Sequence, residues 1–278
     1  VTQVAVLGRG EAGGIIAADL RALGHEVAAY DVAFDDSTLA GVIPGADLVV
    51  SAVTPGRCVA AAREAATLLS AGAWYMDINS SSPEHKREAS AAVDSAGGRY
   101  VEAALMSAIA PRRLGSPFLL GGRHAEGFAN EAAAYGLTDV AVAPGPLGTA
   151  AATKLCRSVL IKGMEALFTE SLLTARHHGV ERAVLDSLSN MLPEGDWDRL
   201  AGYFVERSLR HGTRRAEEME EAAHTVADAQ VAPLMALATA ERQRWAGALP
   251  IDVPDPLPAT AGLLDTILRT MPSPEEDA

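Results

Sequence analysis

The sequence predicts an α/β fold, an N-terminal doubly wound sheet followed by an all-α C-terminal domain. Three observations carry that expectation. Short apolar runs alternate with alanine-rich stretches of helical length through the first half of the chain. A glycine-rich turn separates the first run from the first helical pattern, and strand-like runs vanish after Gly148. Strands alternating with helices argue for βαβ units with parallel strands. A length of 278 residues accommodates two ordinary domains, expected over 1–147 and 148–278.

Val4 to Leu7 is a short apolar run ended by Gly8, and Ile15 to Leu23 carries apolar residues at helical spacing until Gly24 stops it. His25 to Tyr30, Asp47 to Val53 and Ala73 to Ile78 read as further strands, the second closed by Thr54-Pro55-Gly56. Arg57 to Ser70 and Pro83 to Ala96 supply the helices between them. Tyr100 to Leu105, Pro117 to Leu120 and Asp139 to Val142 extend the sheet up to the Pro144-Gly145-Pro146 break. Thr149 to His178 is then one long helical pattern without proline. Helices are expected at Glu181–Met191, Asp196–Arg210, Arg214–Ala227, Val231–Ala246 and, after a proline-rich arm, Ala259–Thr270. The acidic, proline-containing tail Ser273–Ala278 has the composition of a disordered segment.

The net charge of −13 has the wrong sign for neutralising nucleic-acid phosphates, and it does not favour an anionic membrane surface. Cys58 and Cys156 lie far apart and form no C-x-x-C pair, so neither a disulfide framework nor a cysteine-rich metal site is indicated. No apolar run reaches the roughly 18–20 residues of a membrane helix. The first residues run straight into a strand without signal-peptide features. A soluble cytoplasmic protein is therefore expected.

Gly8-Arg9-Gly10-Glu11-Ala12-Gly13 is a G-x-G-x-x-G that follows a strand and opens a helix, the context in which this pattern has physical meaning. Gly8 permits the tight turn, Gly10 lets a pyrophosphate approach the backbone, and Gly13 lets helix and strand pack closely. The N–H groups that open the helix then face the phosphates. Asp31, 23 residues after Gly8 at the end of the second strand, can accept both ribose hydroxyls of an adenosine and would repel a 2′-phosphate. NAD is the expected cofactor. Arg9, inside the turn, is able to reach a phosphate and keeps NADP open.

Lysine is scarce: of the 23 basic residues only Lys86, Lys154 and Lys162 are lysines. The residues four before them are Ser82, Ala150 and Ser158, which removes the Tyr-x-x-x-Lys pair of short-chain dehydrogenases. None follows a glycine as in a Walker A loop, and no histidine pair has H-E-x-x-H spacing. Hydride transfer to or from an alcohol carbon still needs a base for the hydroxyl proton. Lys154, six residues after Gly148 on the first turns of the long helix, is the best placed, and Lys162, two turns further on a similar face, is its rival.

Gly8–Gly13, the turn Pro144-Gly145-Pro146-Leu147-Gly148, and the run from Gly148 to Lys154 resemble the β-hydroxyacid dehydrogenase family, which includes 3-hydroxyisobutyrate and 6-phosphogluconate dehydrogenases. That resemblance spans most of the chain and implies that Lys154 is the general acid/base. The segment from Glu102 to Ile109 is similar to the family's D-A-P-V-S-G-G substrate loop, which implies that Ser107 and the neighbouring Ala108 backbone hold a substrate carboxylate. Ala108 and Ile109 replace the family's two glycines, so a more apolar pocket is expected. Arg157 replaces the family's asparagine three residues after the lysine and is suited to clamping an anion. The run from His211 to Glu221 looks like a branch with a variant phosphogluconate-dehydrogenase-like C-terminal domain, in which Arg214 or Arg215 takes the place of a family lysine. Asn79-Ser80-Ser81-Ser82-Pro83 resembles the family turn over the nicotinamide, implying a cofactor contact at Asn79 or Ser80, although an N-cap cluster explains the same residues. Val53 and Thr54 are implied beside the adenosine ribose.

The expected function is an NAD(P)-dependent oxidoreductase acting on a small anionic hydroxy acid or its semialdehyde or keto form. No metal, nucleic acid or membrane partner is expected, and a homodimer is. Two alternatives stay open, an imine or enamine reductase, against which the retained Lys154 argues, and a non-catalytic NAD-binding protein, motivated by Ala108, Ile109 and Arg157.

Overall fold

The computed structural model describes residues 2–34, 36–191 and 195–271. The chain divides into two compact units, Val1–Cys156 and Arg157–Ala278. The division falls within the first turns of the long helix rather than just before it.

The first unit runs β1 (Gln3–Leu7), α1 (Glu11–Ala22), β2 (Glu26–Tyr30), a one-turn α2 (Leu39–Val42), β3 (Leu48–Ser51), α3 (Cys58–Ala66), β4 (Trp74–Asp77), α4 (Pro83–Ser95), β5 (Arg99–Leu105), β6 (Phe118–Gly121), α5 (Ala125–Glu131) and β7 (Val140–Val142). The seven strands form one sheet in the order β2-β1-β3-β4-β5-β6-β7. All neighbours are parallel except β5 and β6, which run antiparallel. The sheet is therefore mostly parallel, as the expected βαβ units imply, with one antiparallel step. A parallel pair needs a crossover, usually a helix, and the link from β5 to β6 holds only a 3-10 turn at Arg113–Gly115.

Both faces of the sheet are covered, so side chains alternate between two cores. Val4, Val6, Leu48, Val50, Trp74 and Met76 pack in one core with Ile16, Leu20 and Phe128. Ala5, Leu7, Val49 and Tyr75 pack in the other with Ala62, Ala65, Ala89 and Val93. The helices start where their sequences allow. Ser82 caps α4 by accepting the His85 N–H, and Pro83 occupies the first turn. Asp196 caps a later helix in the same way through the Arg199 N–H.

α6 (Thr149–His177) leads into the second unit, where α7 (Glu181–Met191), α8 (Trp197–Asp228), α9 (Leu234–Ala248) and α10 (Thr260–Thr270) follow. Leu172, Leu173, Leu185, Val205, Leu264 and Ile267 form its apolar centre. α8 is one continuous helix where two were expected, with a break near Gly212. The glycine serves a close crossing instead. A Cβ at Gly212 would lie 2.3 Å from the Gln243 carbonyl oxygen, and one at Gly247 would lie 2.5 Å from the Thr213 nitrogen. The tail Ser273–Ala278 lies outside the described residues.

Candidate functional site

The glycine turn joins β1 to α1 at the C-terminal edge of the sheet. Gly8 has φ +95°, a conformation that L side chains rarely adopt, and a Cβ there would sit 2.2 Å from the Ala52 carbonyl oxygen. A Cβ on Gly13 would sit 2.0 Å from the Gly8 carbonyl oxygen, whereas nothing lies within 4 Å of a Cβ on Gly10. The three glycines therefore divide their work: two permit close backbone packing and the middle one leaves open space. Gly10 is the N-cap of the twelve-residue α1 and provides no side-chain cap. N–H groups at Glu11, Ala12 and Gly13 thus open the helix beneath that space, an arrangement that fits a pyrophosphate.

Asp31 follows β2 as expected. Its carboxylate accepts the Arg9 N–H at 2.7 Å and the Ala33 N–H at 3.0 Å, which ties the glycine turn to the end of β2. The Arg9 side chain pairs with Asp36, Nη1 to Oδ2 2.6 Å, and its guanidinium carbon lies 4.4 Å from the centre of the Phe34 ring. Val53 is half-buried and Thr54 exposed in the loop after β3, where the Thr54 carbonyl accepts the Arg57 N–H at 3.0 Å.

Strand register aligns Leu7 with Ser51, Ser51 with Asp77, and Asp77 with Glu102. This sets a row of buried polar side chains along the edge where the strands end. Asp77, fully buried, pairs with the equally enclosed Lys86 at 2.8 Å. It also accepts the Tyr100 hydroxyl at 2.7 Å, the Asn79 N–H at 2.9 Å and the Cys58 thiol at 3.2 Å. Lys86 donates in addition to the Asn79 carbonyl at 2.7 Å. Burial disfavours the Lys86 charge, but Asp77 and its neighbours outweigh it and the pKa rises. Burial pushes the Cys58 thiol up to about 12, so it stays a packed thiol rather than a nucleophile. The Asn79 amide donates to the Ser51 hydroxyl at 2.9 Å. Asn79 thus belongs to a rigid turn above a buried ion pair, and the N-cap role falls to Ser82.

Glu102 continues the row and anchors α6. Its carboxylate accepts the Gly148 N–H at 2.8 Å and the Ala151 N–H, holding the first turn of the helix by the group that its positive end favours. Burial raises the Glu102 pKa. Lys154 sits one turn further along α6 and is partly exposed. The other two lysines are enclosed, Lys86 against Asp77 and Lys162 against Glu218 at 2.7 Å with the Ser158 hydroxyl at 2.9 Å. Burial lowers the Lys162 pKa against the opposing effect of Glu218.

Among the substrate candidates, Ser107 and Ala108 are exposed in the loop after β5, and the Ser107 hydroxyl donates to the Ala108 carbonyl at 3.1 Å. Ile109 packs into the core, so its replacement of a family glycine fills the interior instead of lining a pocket. Arg157 is exposed on α6. Arg215, expected among the cations for the substrate, is enclosed and ion-paired with the fully buried Glu165. Arg214 pairs with Glu218 at 2.9 Å. α8 turns Arg215 inward because that position lies on the stripe with Ala216, Met219 and Ala222.

Sequence reasoning did not single out Asp77, its pairing with Lys86 or the anchoring role of Glu102. A signal was present: a carboxylate inside an apolar strand run, as in Trp74-Tyr75-Met76-Asp77 and Tyr100-Val101-Glu102-Ala103, demands a buried partner. Among the described residues no group of three or more His, Cys, Asp or Glu side chains is arranged to hold a metal ion, and no helix is long and apolar enough to cross a membrane.

Residues 175–246 match a domain of unknown function, DUF1932. No curated protein matches the chain. A conserved hypothetical protein from Sinorhizobium meliloti 1021 is 32% identical, with 97% of each chain covered and a TM-score of 0.74. A conserved protein of unknown function, described as structurally similar to 3-hydroxyacid dehydrogenases, is 30% identical over 87% of this chain and 97% of its own, with a TM-score of 0.65. The 3-hydroxyisobutyrate dehydrogenase of Mycobacterium tuberculosis, solved with L-serine, shares the fold at 16% identity, covering 96% and 99% of the two chains with a TM-score of 0.70. With its glycine turn, its sheet and its helical C-terminal region, the chain belongs to the β-hydroxyacid dehydrogenase family, among the 3-hydroxyisobutyrate dehydrogenase-like proteins.

Proposed function

We propose that the protein is an NAD(P)-dependent oxidoreductase acting on a small anionic hydroxy acid or on its semialdehyde or keto form. The observation that carries this reading is the glycine turn, closed by packing at Gly8 and Gly13 and open only at Gly10. A nicotinamide cofactor, when bound, supplies or accepts the hydride. Gly10 and the first N–H groups of α1 hold its pyrophosphate, Asp31 and Thr54 meet its adenosine ribose, and Asn79 lies toward the nicotinamide. NAD is the preferred form.

Lys154 takes the hydroxyl proton in oxidation and returns it in reduction. It is the partly exposed lysine of the three, on a helix whose first turn Glu102 fixes. Ser107 and the Ala108 backbone hold the substrate carboxylate, with Arg157, exposed on α6, as its cation. A homodimer is part of the proposal, and light scattering on the purified chain checks it. Its motivation is an exposed stripe on α6 formed by Leu160, Met164 and Leu167.

The experiment is a panel of hydroxy acids with NAD+ and NADP+, followed by NAD(P)H absorbance, on the parent and on Lys154→Ala. Positioned acid/base groups contribute about 10²–10⁴-fold. Lys154→Ala should therefore lose turnover by that factor while NADH affinity stays within about twofold, and full residual activity would refute the role.

A further inference from the structure

Arg9 carries two opposing signals for the adenosine end of a dinucleotide. Its backbone N–H is held by Asp31 at 2.7 Å, so a carboxylate occupies the position that suits a free 2′,3′-diol. Its side chain carries a guanidinium, whose planar fork of donors matches a phosphate. One nitrogen of that fork is engaged from within the chain. Asp36 offers both oxygens to Nη1, at 2.7 Å and 2.6 Å, and Phe34 lies beneath the guanidinium. Arg9 in turn, chiefly through this hydrogen bond, holds the Asp36 carboxyl below its ordinary range.

We propose that Asp36 is an internal stand-in for the 2′-phosphate of NADP: by occupying Arg9 it sets the preference for a free ribose diol, and a 2′-phosphate binds by taking its place. The inference rests on reading the glycine turn as a dinucleotide site. The pair stands at the surface, with side chains 34% and 59% exposed, and such pairs are weak. The exchange is therefore modest in cost, and the chain discriminates between the two cofactors without excluding NADP. Asp31 adds a repulsion that persists when Asp36 is removed, so loss of Asp36 narrows the preference without inverting it.

Calorimetry of the full chain with 5′-ADP and 2′,5′-ADP tests this without any need for turnover, because neither ligand contains nicotinamide. In Asp36→Asn, 2′,5′-ADP should bind about two- to fivefold more tightly, with 5′-ADP unchanged. In Arg9→Gln, 2′,5′-ADP should weaken, and adding Asp36→Asn to that variant should restore nothing. An unmoved ratio of the two affinities in Asp36→Asn, or an equal gain for both ligands, overturns the proposal. If neither ligand nor NADH or NADPH binds the parent chain, the dinucleotide reading itself fails, and the proposal with it.

Discussion

Replacing Lys86 with methionine removes the only cation paired with Asp77 among the described residues. The two side chains are 2% and 0% exposed and 2.8 Å apart. Truncating one partner of such a pair leaves the other charge buried and costs roughly 3–5 kcal/mol. Asp77 keeps the Tyr100 hydroxyl at 2.7 Å and the Asn79 N–H at 2.9 Å, which puts the expectation near the lower end, about 3 kcal/mol. Adding Asp77→Asn removes the stranded charge, and the double variant should recover all but about 1 kcal/mol. Trp74, three residues before Asp77 on β4, is the tryptophan of the first unit, and Trp197 and Trp245 belong to the second. With those two replaced by phenylalanine, urea unfolding followed by fluorescence reports on the first unit alone. A slope of about 2–3 kcal/mol per molar urea converts the single substitution into a midpoint about 1 M lower. A Lys86→Met variant within about 1 kcal/mol of its parent, or a double variant weaker than the single, would refute the buried pair as a coupled unit.

The glycine turn gives a contrast between neighbours. Gly10→Ala meets open space and a φ of −66°, so the fold should keep its stability while NADH affinity falls at least tenfold; Gly13→Ala drives a Cβ into the Gly8 carbonyl and should lower the melting temperature as well. Glu102 gives a pH test. Burial raises its pKa above the ordinary value of 4.5, so the folded chain retains a proton that the unfolded chain has released. Stability therefore falls as the pH rises from about 4.5 through the folded value. Thermal melts should show that slope in the parent and not in Glu102→Gln, which also loses an acceptor for one α6 N–H at a cost of about 1–3 kcal/mol. An equal slope in both proteins would place the raised pKa elsewhere.

The sequence by itself determined the order of strands and helices, the glycine turn, the helix from Thr149 and the carboxylate after β2. These follow from local rules, the period of apolar residues and the conformational freedom of glycine, which act over a few residues and need no partner from elsewhere. Only the tertiary structure decided which polar groups face inward. Ser51, Asp77 and Glu102 lie on three separate strands, and parallel register brings them into one row, against which α4 sets Lys86. The antiparallel β6 depended on the length and content of a link whose path is set by packing. Gly212 read locally as a helix break, but the backbone of α9 lies against it. Arg215 read as a candidate cation for the substrate, and only the packing face of α8 decided that it is enclosed and paired with Glu165. The scarcity of lysine acquired its meaning in the same way: burial commits Lys86 and Lys162 to ion pairs inside the fold and leaves Lys154 partly open to solvent. A residue's type and spacing fix what chemistry it can perform, whereas its burial and partners, which depend on distant parts of the chain, fix whether it is available to perform it.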